Sequence, residues 1–275
     1  MDSTGGTPSV ATARAEEVRC RTDLPAGCAV AEREIPSPGG SLRLRQYRAQ
    51  AADSGDSFGL VFFHAGAFVT GGVETHAAFC GQLSLASGCV VVSCEYRLAP
   101  EHRFPRALDD AYFAACFVHE HADELGIDHR RLGIGGIEVG ANLATGVARL
   151  AKERRNPALG LQVLLCPALD LRSPARDWAA GHYASEAERA DPRCSPLLAR
   201  NLIGLPPALI VCGSAAADAE HYATRLREAH VETSWLQCAG EGYEFLEVPS
   251  DSEGGREALR VCSAALARVL QKIPA

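Results

Sequence analysis

Arg131-Leu132-Gly133-Ile134-Gly135-Gly136-Ile137-Glu138-Val139-Gly140-Ala141-Asn142-Leu143-Ala144 is the stretch on which the fold turns. Its first half, residues 131–136, reads as a short strand. Its second half opens an Ala- and Leu-rich helix over residues 139–153. Almost nothing separates the two, so the chain must reverse within one or two residues. A reversal that tight needs small residues on both sides, and Gly136 and Gly140 supply them. The side chain between them, Glu138, is pushed up at the carboxyl end of a strand, where clefts form in parallel sheets. The N-terminus of the following helix aims unpaired N–H groups at the same place.

Other buried strands flank this unit. Gly59-Leu60-Val61-Phe62-Phe63-His64 and Cys89-Val90-Val91-Val92-Ser93-Cys94 are short apolar runs that suit strands covered on both faces. Further strands are expected over 161–166, 208–212 and 233–238. Residues 29–48 read as an extended pair about the turn Pro38-Gly39-Gly40, and residues 49–57 as a polar loop. Helices are expected over 105–121, where Leu108, Ala111, Tyr112 and Ala115 share one face, and over 255–270. Strands alternating with helices imply an α/β architecture with a mostly parallel sheet between helical layers. The 275 residues suit one domain. Residues 1–28 are expected as a loose N-terminal or cap segment, with a polar tail through residue 17, and 172–195 as a shortened cap insert. Trp178, His182 and Tyr183 in that insert either line a pocket or pack the insert onto the body.

Composition excludes several classes. Apolar residues make up 47% and charged residues 22%, as in an ordinary soluble protein with a sizeable core. The net charge of −7, without a basic run, leaves no footprint for nucleic acid. No stretch has the apolar length to span a bilayer, and the polar N-terminus lacks the pattern of a secretory signal. The 11 cysteines are scattered and partly inside strands, which reads as reduced, buried thiols in the cytoplasm. No cluster has metal-ligand spacing, so neither metal nor cofactor is expected.

Four phrases resemble the hormone-sensitive-lipase branch of the α/β-hydrolases. Phe63-His64-Ala65-Gly66-Ala67-Phe68, with Gly71-Gly72, resembles its His-Gly-Gly-Gly loop. Tyr96-Arg97-Leu98-Ala99-Pro100-Glu101-His102, with Phe104-Pro105 and Leu108-Asp109-Asp110, is a close and specific match. Gly136-Ile137-Glu138-Val139-Gly140 stands where the family has its nucleophile elbow. Gly204-Leu205-Pro206-Pro207-Ala208-Leu209-Ile210 leads into the strand before the acidic residue. The resemblance runs from about residue 32 to the C-terminus, in the family's order.

It implies an oxyanion loop at His64, Ala65, Gly66 and Ala67 with the N–H of Val139, and a Ser-Asp-His triad. The elbow position holds Glu138 instead of serine. The acid position falls at Ser214, with Asp218 nearby as a candidate acid. The histidine phrase is matched by Tyr243-Glu244-Phe245, and no histidine follows His230. All three triad positions, Glu138, Ser214 and Tyr243, are therefore expected to be replaced, which excludes the usual serine esterase chemistry. Alanine resists positive φ, so the loop at Ala65 and Ala67 is expected to shift.

Glu138 is read as an acid or base, with Tyr243 donating a hydrogen bond or a second proton. The competing reading folds Glu138 back, capping its own helix and filling the oxyanion hole. Structural roles are expected for Arg97, Glu101, Asp109 and Asp110, and His64 is expected to brace its loop; Glu241 and Glu244 flank Tyr243. Plant members of the family include dehydratases, cyclases and a hormone receptor. By that resemblance the first expectation is a non-hydrolytic cyclase, dehydratase or isomerase acting on an apolar specialised metabolite. The second is a receptor or carrier for a small molecule, and the third an unconventional hydrolase in which Glu138 activates water. A homodimer through an edge strand near the C-terminus is compatible with each.

Overall fold

The computed structural model describes residues 8–19, 23–50, 57–214, 216–238 and 243–272. Part of the expected tail (1–7), most of the expected loop (51–56) and Glu241 lie outside the described residues. Eight strands form one sheet in the order β1-β2-β4-β3-β5-β6-β7-β8. They are β1 (Cys28–Ser37), β2 (Gly40–Ala49), β3 (Ser57–Phe63), β4 (Val90–Glu95), β5 (Ile127–Ile137), β6 (Leu161–Leu165), β7 (Ala208–Cys212) and β8 (Thr233–Gln237). β1 and β2 form an antiparallel hairpin, and β2 lies antiparallel to β4. From β4 across to β8 every pairing is parallel. The expected mostly parallel α/β sheet is therefore what the chain forms.

Helices cover both faces. On one side lie α3 (Arg106–Glu120), α4 (Val139–Arg154) and α7 (Ala217–Glu228), packed on a core that includes Val61, Phe63, Val92, Ile134, Leu164 and Ile210. On the other lie α2 (Ala77–Ser87) and α8 (Glu253–Lys272), over Phe62, Val91, Val163, Leu209 and Val211. Successive strand residues feed opposite layers, which is why β3, β4, β6 and β7 read as unbroken apolar runs. β8 closes one edge and is only half-buried. Among the described residues no helix is long and apolar enough to cross a membrane.

Two segments differ from their expectation. The region read as a loose tail contains a helix, α1 (Val10–Arg19), started by Ser9, whose hydroxyl accepts the N–H of Thr12 at 3.1 Å. The insert at 172–195 folds into two short helices, α5 (Asp177–Tyr183) and α6 (Glu186–Arg189). Tyr183 is fully buried; its ring stacks on Phe68 with centroids 3.7 Å apart and meets Phe104 edge-on. Trp178 is partly buried against the core and contacts His182 edge-to-face at 5.2 Å. These aromatics fasten the insert to the body, and Tyr183 is a packing residue, not a pocket wall.

Candidate active site

The turn between β5 and α4 is built as its sequence requires. A Cβ on Gly140 would lie 2.1 Å from the Phe63 carbonyl oxygen, and one on Gly136 would lie 2.4 Å from the backbone of Gly140. Only glycine lets strand and helix approach this closely. Glu138 sits between them at φ 54°, ψ −110°, a conformation that L-residues avoid. Three backbone hydrogen bonds hold it there. Its N–H reaches Leu165 O at 2.9 Å, and its carbonyl accepts from Ala168 at 3.1 Å and Asn142 at 3.2 Å. The strained turn aims the side chain at the loop after β3.

That loop is equally fixed. Gly66, Ala67 and Phe68 have φ of 120°, 56° and 62°. A Cβ on Gly66 would fall 2.3 Å from Thr70 O. The expected displacement of the loop by alanine is thus corrected: Ala67 takes the positive φ itself. The surroundings enforce it, since Tyr183 pins the Phe68 ring, Ala99 N–H donates to Phe68 O at 2.8 Å, and Tyr96 OH donates to His64 O at 2.9 Å. His64 braces from inside, as expected. It is fully buried, stacks on Tyr96 at 4.2 Å, and its Nδ1 lies 2.6 Å from Ala65 O, so that nitrogen carries the proton. Burial lowers its pKa to about 4, so the ring is neutral.

The N–H groups of Gly66 and Ala67 both donate to one oxygen, Glu138 Oε2, at 3.2 and 3.1 Å. A half-buried carboxylate oxygen thus occupies the meeting point of two backbone donors. Such a pair is the arrangement that stabilises an oxyanion. The competing reading is right in part: Glu138 fills this hole, but its side chain does not cap α4. Val139 is buried at the first position of α4 beside it.

The remaining candidate residues are dispersed. Ser214 is exposed just after β7. Asp218, in the first turn of α7, accepts the Asp170 N–H at 3.1 Å and pairs with Arg176 at 2.9 Å. It therefore braces the start of the insert. Tyr243 packs half-buried on the layer beneath α2 and α8. Arg97 and Asp110 form a forked ion pair with contacts of 2.8 and 2.7 Å, the expected bracing role.

Sequence reasoning missed α1 and what it carries. Arg14 donates to Glu101 at 2.7 and 2.8 Å and to the carbonyls of Val69 and Ala99 at 2.9 and 3.0 Å, clasping the helix over the loop. Glu17, one turn on, lies 3.4 Å from Thr70 Oγ1. Burial raises its pKa, with Glu247 and Glu138 adding repulsion and the hydroxyls of Thr70 and Thr75 opposing. The helix had one legible signal, Ser9 followed by good helix formers.

A parallel sheet, a glycine-flanked strand–helix turn and a two-donor loop facing it define the α/β-hydrolase fold, and the family of that description matches residues 60–247. The chain belongs to this family, as its resemblance to the hormone-sensitive-lipase branch implies. It is 34% identical to the carboxylic ester hydrolase LipN of Mycobacterium tuberculosis over 87% of this chain and 71% of LipN. It is 32% identical to the ethyl acetate hydrolase of Pseudomonas putida, over 92% of this chain and 84% of that one. The solved structure of the thermostable carboxylesterase EstE1, from a metagenomic library, superposes with a TM-score of 0.90 at 31% identity, covering 96% of this chain and 98% of EstE1.

These relatives correct the functional expectation. A non-hydrolytic cyclase, lyase, dehydratase or isomerase of secondary metabolism built on a pseudo-triad, and a non-catalytic receptor or carrier, both fall. Proteins alike over nearly the whole chain are ester hydrolases.

Proposed function

We propose that this protein hydrolyses carboxylic esters of small molecules, with Glu138 as the base that activates water. The observation that carries this is the pair of N–H groups from Gly66 and Ala67, converged on one anionic oxygen. Donors so placed fit the oxyanion of a tetrahedral intermediate. In the resting enzyme the Glu138 carboxylate holds that place. An ester carbonyl entering the hole takes over both donors and turns the carboxylate out beside it. The carboxylate then removes a proton from water, the hydroxide adds to the carbonyl carbon, and the intermediate collapses with loss of the alcohol. With glutamate at the turn, no acyl-serine forms on this route.

The test is hydrolysis of ethyl butyrate and p-nitrophenyl butyrate by the purified chain, compared with Glu138→Gln. Glutamine keeps the shape and an acceptor oxygen for both donors but cannot take the proton. Turnover should drop by roughly 10²- to 10⁴-fold, the usual contribution of a general base, with no acyl-enzyme burst in either protein. Unchanged turnover in Glu138→Gln removes Glu138 from the chemistry. No disulfide joins cysteines among the described residues, and a reducing cytoplasm is the compartment that suits such thiols. The half-buried edge strand β8 suits pairing with a second copy, which sedimentation would reveal.

A further inference from the structure

We infer that the cleft between α3, the end of α4 and the β1–β2 turn is a second ligand site, built for an aromatic monocarboxylate. It lies apart from the hole at Glu138. α4 begins next to Glu138 and ends at Arg154, so about 24 Å of helix separates the two. The inference does not depend on ester hydrolysis.

The cleft encloses about 360 Å³. Phe113 and Cys116 from α3 and Leu150 from α4, all half-buried, form its apolar wall. Phe113 and Leu150 rest on the core that packs the two helices together, so the wall is fixed from behind. An apolar cavity of about 150 Å³ takes up benzene, so the larger volume here has room for two fused rings and an acid group. Covering such a wall removes apolar surface from water. A ring system also gains offset or edge contacts with Phe113 that an alkyl chain does not make.

Charges at the rim select the acid group. Three guanidinium groups, of Arg97, Arg106 and Arg154, and two carboxylates, of Asp109 and Asp110, border the cleft. Arg97 is engaged: it donates to Asp110 at 2.8 and 2.7 Å and to Gly39 O at 3.4 Å. Arg106 and Asp109 stand 3.7 Å apart on successive turns of α3, both more than half exposed. Arg154 remains, with no carboxylate pairing it among the described residues. Its guanidinium lies over the Tyr112 ring, 4.5 Å from the centroid, and the Tyr112 hydroxyl is fixed by donating to Asn156 O at 2.7 Å. The ring covers one face of the guanidinium and leaves its edge, which carries the N–H fork that pairs with a carboxylate. The excess is one positive charge, in a chain whose net charge is −7. One uncompensated cation suits a monoanion; the second charge of a dianion would meet Asp109 instead of a partner.

Titration of the full chain with 2-naphthoate tests this, read by calorimetry and by the rate at which iodoacetamide alkylates Cys116, followed by peptide mass spectrometry. One equivalent should bind with a Kd below about 1 mM. Bound naphthoate covers the cleft wall, so alkylation of Cys116 should slow by about tenfold at saturation. Arg154→Gln keeps the helix and removes the charge, and should weaken naphthoate binding about tenfold or more. Two further probes separate the parts of the ligand. 2-Naphthamide has the rings without the charge and butyrate has the charge without the rings; each should bind the wild type at least about tenfold more weakly than naphthoate. No saturable binding, naphthoate affinity unchanged in Arg154→Gln, or Cys116 alkylated at the same rate with naphthoate bound would each overturn the inference. So would naphthamide or butyrate binding as tightly as naphthoate.

Discussion

One side chain decides the chemistry at the residue scale. Glu138 is held by backbone geometry, at a φ that its neighbours enforce, and its carboxylate closes the hole that catalysis must open. Glu138→Ser makes the two roles separable. Serine vacates the N–H groups of Gly66 and Ala67 and leaves the hole open, but no histidine follows His230 to activate its hydroxyl. Turnover of p-nitrophenyl butyrate should therefore fall below that of the wild type. A rise above it would show that the vacant hole matters more than the base and would remove Glu138 from its assigned role. The identity of this residue was plain in the sequence. The direction of its carboxylate was not, because that depends on a loop 72 positions earlier in the chain.

Elements differ in how far the sequence discloses them. The β5–α4 turn was legible because its glycines report a close approach that no other residue permits. The central strands were legible because burial on both faces leaves an unbroken apolar run. α2 was not, since a helix buried around most of its surface has no polar stripe to mark its period. The insert's aromatics left packing and pocket roles open, and only the stacking of Tyr183 on Phe68 separates them. α1 has little apolar surface, and its attachment lies in Arg14, which reaches residues more than fifty positions away. That attachment is testable. Arg14→Ala removes four contacts, yet Arg14 and Glu101 are both part-exposed, so global stability should fall by no more than about 1 kcal/mol. Local protection should fall much further. Hydrogen exchange over residues 10–19 should quicken about tenfold or more, and KM should rise with it. Unaltered exchange there would mean that other contacts hold α1 over the loop.

At the scale of the whole molecule, stability depends on two histidines sealed beneath the oxyanion loop. His64 and His76 are buried, and neither His64 Nε2 nor either ring nitrogen of His76 has a hydrogen-bond partner among the described residues. Burial lowers the first pKa to about 4 and the second to about 3, with repulsion from His64 adding to the second. In the unfolded chain both titrate near 6.5, so between those limits the unfolded state binds more protons than the folded one. Stability is then fully present above about pH 6.5 and is lost as pH falls toward 4, each ring accounting for on the order of 3 kcal/mol. A loss of that size is a large part of the stability of a single domain. The urea midpoint should therefore drop steadily from pH 7 to pH 4.5, well before carboxylates are protonated in number. His76→Leu, which removes one titrating ring from an apolar site, should flatten this dependence by about half while changing stability at pH 7 by less than about 1.5 kcal/mol. A midpoint that stays level down to pH 4.5 in the wild type would mean that both rings reach solvent or a partner before they charge. The oxyanion loop above them would then be less rigid than its positive-φ backbone implies.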